Sequence, residues 1–340
     1  MASYVEPMPS RPSSLLVLSA TTLLVLAACG TSSEDAASPA ASAGPATADA
    51  AVACVGVPED AAVASWDQAA EDEAAINPII VSSVASVGPS RVLFSLTDDN
   101  HRVINSPDIS VTAEFFALGR DPERPAATAE ASHIDLLGDR GLYRTTVDLD
   151  CAGTWGIRLA ASFPDGSSAT AMERIPVRAE GPTPAIGAPA PRSDSLTAVT
   201  PEEVADVSTD PDPLPGSFER TVAEVVTSGQ PSLVFFATPA FCSTGSCGPT
   251  MNVVKSVVAD YADEVSYVNV EPYELQQTVN GLQPVLDGDG RLVPVQAVLD
   301  YGIPVEPYLF LVDGDGNVFA KFEGVIGADE LRLALEDVLS

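Results

Sequence analysis

The chain has 340 residues and a formal net charge of −32, and its only lysines are Lys255 and Lys321. Contact with a nucleic-acid backbone needs a basic patch, so the composition excludes a nucleic-acid partner. The same charge disfavours docking on anionic lipid and suits a protein dissolved in an extracytoplasmic or salty medium.

Residues 1–28 have the pattern of a signal peptide. The apolar run from Leu15 to Ala28 is too short to span a bilayer as a helix and is typical of the hydrophobic region of a signal peptide. It ends in Leu26-Ala27-Ala28-Cys29-Gly30, which resembles a bacterial lipobox. The resemblance implies lipidation of Cys29 after cleavage and attachment to the bacterial cell membrane through that lipid. The alternative is a plain secretory signal cut near Ala28.

Residues 29–53 are predicted to form a flexible tether. From Thr31 onward the segment consists mainly of Ala, Ser, Thr, Pro, Gly and acidic residues, with no apolar period. Such a composition cannot bury enough surface to offset the entropy lost on folding. The rest of the chain is long enough for two ordinary domains.

Residues 54–180 are predicted to form an all-β domain. Turn residues such as Gly88-Pro89 and Pro164-Asp165-Gly166 separate short runs of strand-forming residues. Seven such runs over about a hundred residues favour a β-sandwich of immunoglobulin-like type. Tyr143 and Trp155 are predicted to belong to its core. The runs are PIIVSSVASV, RVLFSLTD, ISVTAEFFAL, SHIDLL, GLYRTTVDLD, GTWGIRLAASF and SATAMERIPV.

The number and spacing of the cysteines limit the disulfides that the chain can form. An exported chain lies in an oxidising space, so the cysteines other than Cys29 predict disulfides. Among the three possible pairings, local spacing favours Cys242 with Cys247, which leaves Cys54 with Cys151 as a structural disulfide.

His101 and His133 are the only histidines of the chain. Neither has the spacing of a metal site relative to other ligands. Each is therefore predicted to be a surface residue near a turn. No metal site and no cofactor are predicted.

Residues 181–215 are predicted to be a linker. The stretch EGPTPAIGAPAPR is rich in Pro, Ala and Gly, as in stiff, extended spacers, and the residues from Ser193 to Pro215 are acidic and proline-rich. Within it, Ile186-Gly-Ala-Pro189 is similar to the lead-in of TlpA-like and Sco-like thioredoxin-fold proteins. That similarity implies a start of the second domain near Gly187.

Residues 216–340 alternate between strand and helix patterns. The apolar run from Leu233 to Phe236 suits a buried strand, and the apolar positions after Pro249 recur at the spacing of one helix face. The later elements are a strand over 265–270, a short helix over 293–301, strands over 308–312 and 318–322 around a tight turn, and a terminal helix.

Two cysteines lie between the buried strand and the helix. A thiol at such a junction faces the positive end of the helix, which favours the thiolate that attacks disulfides. The residues FFATPAFC and CGP resemble the strand and CGPC region of the thioredoxin-like superfamily, although Cys242 and Cys247 are spaced Cys-x4-Cys and Thr250 replaces the second Cys of CGPC.

This resemblance implies an α/β thioredoxin-like fold with redox-active Cys242 and Cys247. It also implies a cis proline before the third core strand. Pro307, in Glu306-Pro307-Tyr308, matches that position, so Pro307 and Glu306 are expected to border a substrate groove.

The roles of the two thiols remain open in the sequence. The distance from the strand favours Cys242 as the attacking thiol, with Cys247 resolving the mixed disulfide. The Cys-Gly-Pro match and the proximity to the helix favour Cys247 instead. Cys242 is preferred because it is expected to be the more exposed thiol.

The chain is thus predicted to be multidomain, with an immunoglobulin-like sandwich followed by a thioredoxin-like fold. The predicted function is a membrane-anchored, extracytoplasmic thiol–disulfide oxidoreductase that acts on protein thiols or a redox partner protein. One alternative is a non-catalytic cell-surface binding lipoprotein with a structural disulfide. A Sco-like copper-handling protein is less favoured, because no histidine after His133 is available as a third ligand.

Overall fold

The computed structural model describes residues 52–73, 75–137 and 140–340. The predicted signal peptide, Cys29 and nearly all of the predicted tether lie outside these residues. The described residues belong to one compact unit, which we take in two halves. None of the helices in the described ranges combines the length and apolarity needed to cross a membrane.

The first half is mostly β structure, preceded by helix α1 (Glu59–Glu73). Its strands form one large sheet in the order β1-β3-β6-β5-β4-β7-β8-β2. All neighbours are antiparallel except β2 and β8, which are parallel. The strands are β1 (Asn77–Ile80), β2 (Ala85–Ser86), β3 (Gly88–Thr97), β4 (Ser110–Ala117), β5 (Ala127–Leu137), β6 (Arg140–Leu149), β7 (Gly153–Ser162) and β8 (Ser168–Arg178).

This sheet curls around one hydrophobic core. Alternate residues of β4, such as Val111, Ala113 and Phe115, are buried in that core together with side chains from β3, β6, β7 and β8. Tyr143 and Trp155 are fully buried in it, as the sequence predicts. Burial of a large apolar side chain contributes about 1.5–3 kcal/mol, so this shared core holds the curled sheet together.

Helix α1 packs on the outer face of the sheet and was not predicted. The Trp66 ring lies against Gly156 of β7, where a Cβ would clash with the indole, and it contacts Phe116 at a centroid distance of 5.0 Å. Only Ala62 and Trp66 of α1 are buried, so the helix has almost no apolar period in the sequence.

The first half contains a disulfide between Cys54 and Cys151, whose Cα atoms are 5.1 Å apart. Both cysteines are buried. Beside them, the Cys54 backbone N–H donates to the Ala152 carbonyl oxygen at 2.8 Å. The disulfide therefore attaches the segment before α1 to the start of β7.

The structure corrects the prediction for His133, which is not a surface residue. It lies within β5, and its side chain is only 10% exposed. The ring packs edge-on against Tyr143 at a centroid distance of 5.5 Å. Gly141 on the neighbouring strand leaves room for the ring, because a Cβ there would clash with Nε2. His101 is exposed in a turn, with φ 58°.

The second half contains a four-stranded sheet in the order β10-β9-β13-β14 and a separate hairpin of β11 and β12. Strand β9 is parallel to β10 and antiparallel to β13, which is antiparallel to β14. The elements are α2 (Pro201–Val207), α3 (Val222–Val226), β9 (Ser232–Phe236), α4 (Cys247–Val258), β10 (Ser266–Val270), β11 (Leu275–Thr278), β12 (Gly281–Pro284), α5 (Gln296–Asp300), β13 (Tyr308–Val312), β14 (Val318–Glu323) and α6 (Ala328–Leu339).

Strand β9 is buried on both faces, which explains its continuous apolar sequence. Val234 and Phe236 pack in a core that includes residues of α3 and α5. Leu233 and Phe235 face the opposite core, which α4 and α6 cover. This order of strands and helices agrees with the predicted thioredoxin-like unit.

The proline-rich segment between the halves is attached to the second sheet. The Gly187 N–H donates to the Val318 carbonyl oxygen at 2.8 Å, and the Val318 N–H donates to the Ala188 carbonyl oxygen at 2.8 Å. Residues 187–190 thus extend the sheet beyond β14. Helix α2 follows with a Thr200–Glu203 capping box and no buried residues, so no apolar pattern in the sequence predicts it.

Arg91 of β3 joins the two halves. Its guanidinium donates to the carbonyl oxygens of Glu323 at 2.9 Å and Val325 at 2.6 Å. It also forms a two-point ion pair with Glu330 of α6, at 2.7 and 2.9 Å. The Arg91 and Glu330 side chains are only 11% and 9% exposed, so this ion pair is largely removed from solvent.

Candidate functional site

The candidate site is the loop that connects β9 to α4. A disulfide joins Cys242 and Cys247, whose Cα atoms are 6.0 Å apart. Gly245 has a φ of 71°, a left-handed conformation that glycine adopts without strain and that reverses the chain within the loop. We call residues 242–247 the redox loop.

The two sulfur atoms of the redox loop are not equivalent. Cys247 is fully buried at the start of α4, whereas Cys242 is half-buried. The Cys247 backbone N–H donates to the Cys242 Sγ at 3.2 Å. Because the first N–H groups of a helix have no partner within the helix, this contact places the positive helix start at the Cys242 sulfur.

Glu306 connects the redox loop to β13. Its side chain is buried, with 4% of the residue exposed. Oε1 accepts hydrogen bonds from the Ser243 N–H at 2.7 Å and the Ser243 hydroxyl at 2.9 Å. Oε2 accepts from the Tyr273 hydroxyl at 2.7 Å. The carboxylate therefore binds the redox loop directly.

The environment of Tyr273 reflects these contacts. Burial raises the pKa of the Tyr273 phenol, and the hydrogen bond to Glu306 and the Glu306 charge raise it further. The phenol is thus held in its neutral form, in which it remains a donor to Glu306.

The Thr244 hydroxyl lies beside the accessible sulfur. The Thr244 Oγ1 lies 3.3 Å from the Cys242 Sγ and 2.7 Å from the Ser246 Oγ. It also donates to the Glu306 carbonyl oxygen at 3.2 Å. These contacts hold the redox loop against Glu306, the residue that precedes Pro307.

Pro307 lies directly before β13, and the Glu306–Pro307 peptide bond is cis. The structure therefore brings together Cys242, Cys247, Glu306 and Pro307. The Glu306 side chain points inward to Ser243 and Tyr273, and its backbone carbonyl oxygen accepts a hydrogen bond from Thr244. The roles of these residues in a reaction stay predictions.

The Cys54–Cys151 disulfide lies in the first half and is not part of this site. Among the described residues, no three side chains of His, Cys, Asp or Glu are grouped in a way that could hold a metal ion.

A second buried glutamate lies close to the site. Glu271 follows β10, and its Oε1 accepts a hydrogen bond from the Thr209 hydroxyl at 2.6 Å. The Thr209 Oγ1 lies 3.2 Å from the Thr238 Oγ1. Burial raises the pKa of Glu271. Its hydrogen bonds go to Thr209 and not to the redox loop, which makes it a useful comparison for Glu306.

Sequence reasoning missed Tyr273, Ser243 and Glu271. Ser243 could have been noted from its position next to Cys242. Tyr273 and Glu271 lie in the segment after β10, which has no motif. Their positions follow from the packing of distant parts of the chain, so no local signal could identify them.

Comparison with known proteins places thioredoxin-family proteins among the similar solved structures. No protein-family model matches the chain, and no curated protein matches it. A thioredoxin-family thiol:disulfide interchange protein from Chlorobium tepidum TLS is 19% identical, with a TM-score of 0.28, over 46% of this chain and 99% of the other. A thioredoxin-like superfamily protein is 15% identical, with a TM-score of 0.28, over 46% of this chain and 97% of the other.

A third similar structure is the Lin-41 filamin domain. It is 12% identical, with a TM-score of 0.20, over 32% of this chain and 98% of the domain. The Cys242–Cys247 disulfide at the start of α4 fits a thiol–disulfide role in general terms.

Proposed function

We propose that this chain is a membrane-anchored, extracytoplasmic thiol–disulfide oxidoreductase in which Cys242 attacks and Cys247 resolves. One observation carries the proposal. The more accessible sulfur, on Cys242, accepts a hydrogen bond from the N–H at the start of α4, while its partner on Cys247 is fully buried. Such a contact favours negative charge on the attacking sulfur.

The proposed reaction uses both thiols in turn. In the reduced chain, Cys242 exchanges with a sulfur of a partner protein and forms a mixed disulfide. Cys247 then attacks the Cys242 sulfur, closes the disulfide of the redox loop and releases the partner. The burial of Cys247 supports its role as the second thiol, because a partner reaches Cys242 first.

The N-terminal segment and the two halves determine where and on what this reaction would act. Lipidated Cys29 and the tether would hold the protein at the extracytoplasmic face of the bacterial membrane. The β-rich first half would be an immunoglobulin-like module, and the second half a TlpA-like thioredoxin domain. The partners would be protein thiols or a redox partner protein.

Trapping of partners tests the assignment of the two thiols. We expect Cys247→Ser to accumulate mixed disulfides with partner proteins through Cys242, because the second step is blocked. Cys242→Ser is the matched control and should trap none. Trapping by Cys242→Ser alone would reverse the roles of the two thiols.

The reduction potential separates the enzyme from a non-catalytic binding lipoprotein. Structural disulfides are also buried, as Cys247 is. A non-catalytic binding lipoprotein is therefore the second candidate function. Structural disulfides have potentials below about −300 mV. A value above that limit supports catalysis, and a value below it contradicts the oxidoreductase proposal.

The membrane anchor has its own test. Cys29→Ala should abolish lipid labelling and release the protein from the membrane fraction, while Ser33→Ala in the predicted tether should leave both unchanged. Unaltered membrane retention of Cys29→Ala would rule out a lipid anchor at that residue.

A further inference from the structure

The hydrogen bonds of Glu306 suit a carboxylate group. Both carboxyl oxygens accept hydrogen bonds, two from Ser243 and one from Tyr273. An ionised carboxyl group accepts only, whereas a protonated one must donate through one oxygen. Glu306 therefore places a buried carboxylate against Ser243, the residue adjacent to Cys242.

The surroundings of Cys242 offer little to balance that charge. Ser243 gives both of its donors to Glu306, which leaves the Cys247 N–H as the backbone donor to the Cys242 Sγ. Within the described part of the chain, no Lys, Arg or His side chain hydrogen-bonds to residues 242–247 or to the Glu306 carboxylate. A nearby like charge disfavours an anion, and burial strengthens the effect.

We propose that Glu306 disfavours the thiolate of Cys242 and thereby shifts the Cys242–Cys247 pair toward the disulfide. This inference rests on the proposed function and gives it a direction. A pair that prefers to be oxidised is a strong electron donor in its reduced form. The substrate class is then the disulfides of partner proteins, and the chain is a reductase.

The proposed reaction transfers two electrons from the redox loop to the partner disulfide. The Cys242 thiol loses its proton, and the resulting thiolate attacks one sulfur of the partner disulfide, so that the other partner sulfur leaves as a thiolate and takes up a proton. The Cys247 thiol then loses its proton, attacks the Cys242 sulfur and releases the second partner thiolate, which also takes up a proton. The partner gains two electrons and two protons, and the redox loop loses the same number. A dithiol reductant returns the pair to its reduced form.

Glutathione buffers measure the proposed effect on the full chain. We expect Glu306→Gln, which keeps the shape and removes the charge, to shift the equilibrium toward the dithiol at least about tenfold, or about 30 mV. The fraction of Cys242 present as thiolate near neutral pH, read from its ultraviolet absorbance, should rise in parallel. A purely structural loss would not raise the thiolate fraction.

Two variants serve as controls. Glu271→Gln removes another buried glutamate near the site and should change the equilibrium less than about twofold, because Glu271 does not bond to the redox loop. Glu306→Asp keeps the charge and should stay close to the wild type. If Glu306→Gln fails to fold, Glu306→Ser also removes the carboxylate, and its equilibrium should shift in the same direction.

The outcomes distinguish this inference from the proposed function. Exchange of the wild-type pair with glutathione, together with an unchanged or more oxidised Glu306→Gln variant, would overturn the role of Glu306 but leave the oxidoreductase intact. A wild-type disulfide that does not exchange at any glutathione ratio would remove the proposed function itself.

Discussion

The two disulfides of this chain have opposite surroundings. Cys54 and Cys151 are both buried, belong to the hydrophobic core of the first half and join residues 97 positions apart. Cys242 and Cys247 are five positions apart, with one half-buried sulfur next to hydroxyl groups and a buried carboxylate. The same covalent bond is therefore shielded in one half and accessible in the other.

This difference shows what separates a structural disulfide from a reactive one. A disulfide that closes a long loop restricts the unfolded chain strongly, and burial protects it from attacking thiols. A disulfide that closes a short loop restricts the chain less, so accessibility and neighbouring charges determine its use. The following variants test this comparison.

The largest effect is expected from removal of the Cys54–Cys151 disulfide. The double variant Cys54→Ser with Cys151→Ser should lose about 4.7 kcal/mol of unfolding free energy, the value for closing a loop of about 100 residues. Cys242→Ser with Cys247→Ser should lose only about 2 kcal/mol by the same relation. Urea unfolding measures both. Equal losses would mean that loop length does not determine the difference.

The next effect concerns the contact between the two halves that hold the two disulfides. Arg91→Met leaves Glu330 without its main partner in a buried position and should cost about 3 kcal/mol. Arg102→Met, which breaks an ion pair whose arginine is 76% exposed, is the control and should cost less than about 1 kcal/mol. Separate unfolding transitions for the two halves in Arg91→Met would show that this arginine couples them.

A smaller effect is expected in the rates of reduction. Because the Cys242 sulfur is accessible and both sulfurs of Cys54–Cys151 are buried, dithiothreitol should reduce Cys242–Cys247 at least about tenfold faster, equivalent to about 1.4 kcal/mol in activation free energy. Timed alkylation followed by peptide mass spectrometry measures both rates in one sample. Simultaneous reduction would contradict the assignment of different roles.

The smallest effect is a pH dependence that arises from Glu271 beside the reactive disulfide. Burial raises the pKa of Glu271 in the folded state above its value in the unfolded state. Ionisation therefore costs folding free energy, and stability should fall as the pH rises through the folded-state pKa. Each unit by which the folded-state pKa of Glu271 exceeds its unfolded-state pKa lowers the unfolding free energy at high pH by about 1.4 kcal/mol.

Glu271→Gln should remove this fall. Its unfolding free energy should exceed that of the wild type above the folded-state pKa, and the difference should shrink as the pH decreases below it. Urea unfolding at several pH values tests the sign. A wild type that gains stability relative to Glu271→Gln as the pH rises would contradict it.

The sequence predicted elements whose pattern is local. Strand β9 is a continuous apolar run, and the strands of the first half alternate between apolar and polar residues. Helices α1 and α2 were not predicted, because their sequences lack an apolar period. Only two residues of α1 and none of α2 are buried. The hairpin of β11 and β12 is largely exposed, so its residues carry no pattern of burial.

The candidate site was predictable only in part. Cys242, Cys247 and Pro307 could be identified from their order along the chain. The hydrogen bond between Tyr273 and Glu306 joins residues 33 positions apart, and only the folded sheet brings them together. The burial of His133 depends likewise on Gly141 in the adjacent strand, which no single-strand pattern records.

The segment that connects the halves has a consequence for solubility. An unpaired strand at the edge of a sheet is a template on which other chains aggregate. Residues 187–190 pair with Val318 and occupy part of the free edge of β14. Cleavage after residue 190 would therefore detach this segment from the second half, uncover that edge and make the released second half more prone to aggregation than the intact chain.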